Sequence, residues 1–140
     1  MKSIVWKIHL KSSPERVFDL LSTASGREKF WAEKAPEKDG IIQFYFPNGE
    51  SYESQIVESN ANNEFQLDYF NSIVTFSLEP SKNNGTDLTL TNEGVVEDEF
   101  LEVHSGWVSV LMNLKAAADF QIDLRNHDPN KTWDQKYADN

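Results

Sequence analysis

Cysteine is absent from the 140 residues, which excludes disulfides, thiolate metal sites and cysteine nucleophiles. A chain without those staples must hold itself together by burial, and this length is that of one ordinary domain able to do so. A reducing, cytoplasmic setting is the expectation. Positive charge is also scarce: 13 Lys and Arg stand against 23 Asp and Glu, a formal net charge of −10. No basic run makes a local stripe against that field, so nucleic acid is not expected as a partner. Long apolar runs are missing too. The N-terminal "MKSIVWKIHLKSS" is interrupted by Lys7, His9 and Lys11, so neither a signal peptide nor a membrane span is expected there. No phosphate-cradling glycine loop, nucleophile elbow or paired carboxylates stand out, and no catalytic residue and no cofactor is expected from the residues. Asn84-Gly85-Thr86 and Asn130-Lys131-Thr132 read as turn chemistry.

What the chain does have is aromatic side chains, 12% of residues with four tryptophans. They fit either a filled core or an aromatic-lined cavity. Ile4, Trp6, Ile8 and Leu10 alternate with Val5, Lys7 and His9, the period of a half-buried strand. "SSPERVFDLLS" supplies Ser13 as N-cap, Pro14 at the first helical position and Val17, Phe18, Leu20 and Leu21 as a buried stripe. In "TASGREKFW", Gly26 with Thr23 and Ser25 breaks the helix, and a second short helix or turn ends near Trp31. Residues 32–39 read as a charged loop. From Gly40 onward, segments 41–46, 51–58, 64–70, 72–79 and 86–93 alternate between turn residues, about five strands of an antiparallel meander. The last element runs from about Glu97 to Ile122, with Phe100, Val103, His104, Trp107, Val110, Leu111, Leu114, Ala117 and Ala118 on one helical face.

A strand, two short helices, serial strands and a long helix follow the order of the helix-grip fold. "SPERVFDLLS", "VTFSLEPSKNNGTDLTLTNEG" and "HSGWVSVLMNLK" resemble signature stretches of the START-like (SRPBCC) superfamily, in the branch similar to the C-terminal domain of the activator of the heat-shock protein 90 ATPase. The resemblance covers residues 1 to about 120. It implies an α+β fold in which a curved antiparallel sheet grips the C-terminal helix, often around a hydrophobic cavity. We expect a START-like domain over 1–122 and a tail, 123–140, packed on it by Trp133 and Tyr137. Relatives of this kind include lipid carriers, cyclases and hormone receptors, so the fold alone leaves function open. The leading expectation is a small hydrophobic or lipid-like ligand. A co-chaperone-like protein-interaction domain and a cyclase- or hydrolase-type enzyme are the alternatives; within these 140 residues the separate N-terminal domain of a full activator is not expected.

Candidate ligand-binding residues are Trp31, Phe44, Phe46, Tyr52, Tyr69, Phe76, Asn92, His104, Trp107 and Leu111. His104 lies on the apolar helix face, where it needs a hydrogen-bond partner or a wet cavity. It is either a satisfied histidine at the stripe's edge or part of a pocket wall shared with Trp107, one turn away. Asn92 is in phase with Leu88 and Leu90, so it either points into the cavity or caps a turn where the strand ends or bulges before Gly94. Each aromatic is a wall residue or a core residue. Asp123, His127 and Asp128 are available metal ligands, but Pro129 breaks the local geometry and no metal is expected.

Overall fold

The computed structural model describes residues 1–140. Strand β1 (Lys2–Leu10) runs first, and Ile4 and Leu10 are buried on its inner side. Helix α1 (Pro14–Ser22) starts where the Ser13 hydroxyl accepts the Arg16 N–H at 3.2 Å, satisfying one donor that the helix cannot. Thr23 caps the single turn of α2 (Ala24–Arg27) in the same way, through Gly26 N–H. Here glycine is required by space, because a Cβ on Gly26 would stand 2.5 Å from Leu20 Cα.

The meander contains β3 (Ile41–Tyr45), β4 (Ser51–Asn60), β5 (Glu64–Tyr69), β6 (Ser72–Ser81) and β7 (Gly85–Val95), preceded by a two-residue β2 (Glu37–Lys38). That short strand lies in the segment expected to be loop, and two residues are too few to carry a period. The sheet is seven-stranded, antiparallel and curved, in the order β1-β7-β6-β5-β4-β3-β2. Its first strand therefore pairs with its last. Ile4 faces Asn92 while Lys2 faces Val95, so β7 carries one extra residue, a bulge at which Gly94 takes φ +85°. The bulge follows Asn92, leaving that side chain in the inner phase of Leu88 and Leu90.

Helix α3 (Phe100–Phe120) is gripped by this sheet, after a 3-10 turn at Glu97–Glu99. Trp107, Leu111, Leu114, Ala117 and Ala118 are buried, while Leu101, Val108 and Met112 remain exposed on the other face. The helix stops at Gln121, whose left-handed backbone (φ 53°) returns its N–H to Ala116 O. The Arg16 guanidinium closes the same end, donating to the carbonyls of Ala118 and Ala117 at 3.0 and 3.2 Å, where the helix dipole favours a cation. Asp119 answers by accepting the N–H groups of Lys11 and Ser12, both at 3.0 Å. Burial works to raise its pKa, but these bonds, the Ser12 hydroxyl and Lys115 outweigh it and hold the carboxyl below its ordinary value. No helix is long and apolar enough to cross a membrane.

Residues 121–140 contain only a 3-10 turn, Trp133–Gln135, yet they are tied down. Arg125 is 8% exposed and donates to Ala32 O (3.0 Å), Glu28 O (2.6 Å) and both oxygens of Asp123. Ser109 on α3 donates to Ala138 O at 2.9 Å. The tail thus crosses back over the helix.

Candidate functional site

A cavity of about 520 Å³ lies between α3, the ends of β5, β6 and β7, and the tail. Trp31, in the turn after α2, donates its indole N–H to the Tyr69 hydroxyl at 3.1 Å. Tyr69 ends β5, and its oxygen accepts that bond while its own hydrogen meets no protein acceptor. Burial pushes the phenol well above its usual pKa; the bond from Trp31 opposes this and the nearby Glu50 charge adds to it. The hydroxyl is a donor rather than a base. Across the cavity, Trp107 is 3% exposed and donates to Asn92 Oδ1 at 2.9 Å. Asn92 passes its own hydrogens to Ser72 Oγ (2.8 Å) and Ile73 O (3.2 Å). Two buried polar side chains, from a strand and the helix that follows it, thereby satisfy one another.

Asn113 is different. It is 7% exposed and borders the cavity, and its side chain makes no hydrogen bond to the protein, so its amide opens onto the cavity space. Phe46 from the β3–β4 hairpin, Phe70 from the β5–β6 turn and Trp133 from the tail add rings to the wall. A Cβ on Gly106 would lie 3.9 Å from the Trp133 ring, an ordinary van der Waals contact that places the tail directly over this face of α3. Glu50, Glu99 and Glu102 also border the cavity, exposed to solvent and with no ion-pair partner. The wall is consequently mixed in character, because the hairpin turn and the tail that complete it are polar segments.

Of the residues singled out in the sequence, Trp31, Phe46, Tyr69, Asn92 and Trp107 border this cavity. Phe44 and Phe76 are fully buried behind it: Phe44 stacks on Phe46 at 5.8 Å, and Phe76 stands edge-on to Trp31 and Trp107. Leu111 is buried one turn beyond Trp107, in the core. Tyr52 stacks on Phe70 at 4.5 Å and donates to Asp68 Oδ1 at 3.0 Å. His104 sits on the β1 side of α3, between Trp6 (4.7 Å) and Phe100 (5.4 Å), and its carbonyl accepts the Trp6 indole N–H. It does not share a wall with Trp107. Asn113 was not among the candidates, although it lies three residues after Val110 on the buried stripe. Glu102 and Trp133 border the cavity through contacts that no local pattern marks.

Of the residues that could be drawn as a metal cluster, Asp123 and His127 meet and Asp128 stands apart. His127 bridges Glu33 Oε1 at 2.8 Å and Asp123 Oδ2 at 2.7 Å, whereas Asp128 turns to the Asn130 N–H. With a carboxylate at each ring nitrogen the imidazolium is favoured, and the bonds to Glu33 and Asp123 raise the His127 pKa. Burial works upward on Asp123, but hydrogen bonds from Arg125 and His127 take it down to about 2.

A solution structure of the Aha1 dimer from Colwellia psychrerythraea is similar, with a TM-score of 0.77 and 23% identity over 86% of this chain and 98% of that one. A crystal structure from Staphylococcus saprophyticus gives 0.77 and 20%, covering 89% and 96%. One from Chromobacterium violaceum gives 0.67 and 22%, covering 85% and 99%. At these identities the likeness is one of fold. No curated protein matches. The family described as "Activator of Hsp90 ATPase homolog 1-like protein" matches residues 11–119, from the β1–α1 loop to the end of α3, and the chain belongs to that family.

Proposed function

We propose that the protein binds a small, largely apolar molecule between α3 and the sheet, in the cytoplasm. The observation that carries this reading is the cavity of about 520 Å³ bordered by Trp31, Phe46, Tyr69, Phe70, Trp107 and Trp133. Its size is that of ordinary ligand sites, roughly 300–1,000 Å³. Aromatic walls supply contact area, and the free Tyr69 hydrogen and the Asn113 amide supply direction. A well-packed core would have closed around these groups, since an amide left unpaired in a dry interior costs about 1–3 kcal/mol.

The test is a thermal-shift and tryptophan-fluorescence screen of aromatic and lipid-like compounds, with native mass spectrometry for molecules that co-purify. Val110 borders the cavity, and Val110→Trp fills it. Compounds that raise the melting temperature of the wild type should fail with that variant, while its circular dichroism stays native. A wild type that responds to no compound and carries no co-purifying molecule overturns the proposal.

A further inference from the structure

The wall of the cavity carries two chains of hydrogen bonds that end differently. In the first, the Trp107 indole N–H donates to Asn92 Oδ1, Asn92 Nδ2 donates to Ser72 Oγ, and the Ser72 hydroxyl donates to the Tyr69 carbonyl at 2.7 Å. That chain stops on an acceptor. In the second, the Trp31 indole N–H donates to the Tyr69 hydroxyl at 3.1 Å, and the O–H beyond it meets no acceptor of the protein. Accepting from Trp31 polarises the hydroxyl and strengthens it as a donor. Both residues border the cavity, so the second chain ends on a donor at its wall.

That donor is held in place. The Tyr69 ring is packed against Trp31, Phe44 and Trp107 at 5.5 Å and against Phe70 at 4.8 Å, so its direction is set before a ligand arrives, which lowers the cost of binding. A water completing the hydroxyl would meet rings where a buried water needs further polar partners. A carbonyl on an apolar body needs only the one. Asn140 shows the same deficit on the tail side: it borders the cavity, its oxygen accepts the Trp133 N–H at 3.0 Å, and its buried Nδ2 has no partner. An anion suits the place poorly. Arg125, the basic residue at the cavity, is committed to Asp123 and to the carbonyls of Glu28 and Ala32, while the Glu50 charge acts on the Tyr69 hydroxyl itself.

We infer that the ligand carries an uncharged carbonyl, of ketone, ester or amide type, which accepts the Tyr69 O–H while its apolar body lies among the rings. This inference rests on the binding reading above and selects among the molecules that reading admits. Tyr69 is then the residue that sets specificity, and Trp31 positions it.

Three probes of one shape test this by tryptophan-fluorescence titration: 4-phenylbutan-2-one, butylbenzene and 3-phenylpropanoate. The ratio of ketone to hydrocarbon affinity should fall about fivefold in Tyr69→Phe, the value of one neutral hydrogen bond, with butylbenzene binding unchanged. The carboxylate should bind more weakly than the ketone. A measurement that needs no variant is the infrared carbonyl stretch of the bound ketone, which should lie below its position in hexane. A ratio that survives Tyr69→Phe, a stretch at the hexane position, or a carboxylate that binds more tightly than the ketone overturns the carbonyl assignment and leaves the cavity reading standing. Silence from all three probes overturns both.

Discussion

Trp107 carries two duties that pull against each other. Its ring is packed edge-on against Trp31 and Phe76, and its indole N–H is the partner of a buried Asn92 carbonyl, yet one side of it borders open space. Truncation to alanine removes both packing and partner, so Trp107→Ala should cost about 3–5 kcal/mol, as for other large core truncations. Trp107→Phe isolates the polar part: the Asn92 oxygen loses its donor, at a cost of about 1–3 kcal/mol. Adding Asn92→Leu should recover part of that loss, because no orphaned acceptor then remains. Urea titrations of the two single variants and the double variant check this. Strictly additive losses would show that the hydrogen bond contributes nothing. His104 teaches the opposite lesson at the same scale. Its sequence position, on an apolar face three residues before a tryptophan, leaves open a satisfied histidine at the stripe's edge or a pocket residue, and the ring that packs on it is Trp6 of β1, 98 residues away in the chain. The partner decides the role, and the partner is not local.

At the scale of elements, the strands and helices were legible because each repeats its apolar residues with its own period over several residues. Helix α3 begins three residues later than its pattern suggests and stops two earlier, at Phe120, since Glu97–Glu99 form a 3-10 turn and Gln121 turns left-handed. The tail was legible only in part. Its polar composition carries no period, and its attachment runs through Arg125 to carbonyls of residues 28 and 32. The tail's charge cluster should make its docking depend on pH in two directions. Asp123 has a folded pKa of about 2, below the ordinary 3.8, so its contribution is present above about pH 4 and is lost as pH falls toward 2. His127 has a raised pKa, so its contribution is complete below its ordinary value of 6.5 and is lost as pH rises through the folded value. Both groups are more than a third exposed, so the solvent-screened effects are small. The readout is Trp133 fluorescence together with an NMR titration of the His127 ring. A His127 pKa at or below 6.5 would remove the alkaline arm.

For the whole molecule, the few ion pairs involve mostly exposed side chains and are each worth little, whereas the net charge of −10 acts on the compact state as self-repulsion. Screening should therefore win: the urea midpoint at neutral pH should rise between low salt and about 0.5 M sodium chloride, where the Debye length falls to a few ångströms. A falling midpoint would mean that the clusters around Asp119 and Asp123 outweigh the surface. The pairing of β1 with β7 has a consequence in time rather than in energy. β1 is the first strand in the chain, and its partner ends at Val95. The links from Lys11, Ser12 and Arg16 to residues 117–119 wait longer still. Trp6 and Ile8 must stay uncovered while most of the chain organises around the local hairpins of β3 to β6. Such long-range closure belongs to the slow end of single-domain folding, in the range of milliseconds to seconds, and it makes the first strand the last to find its place.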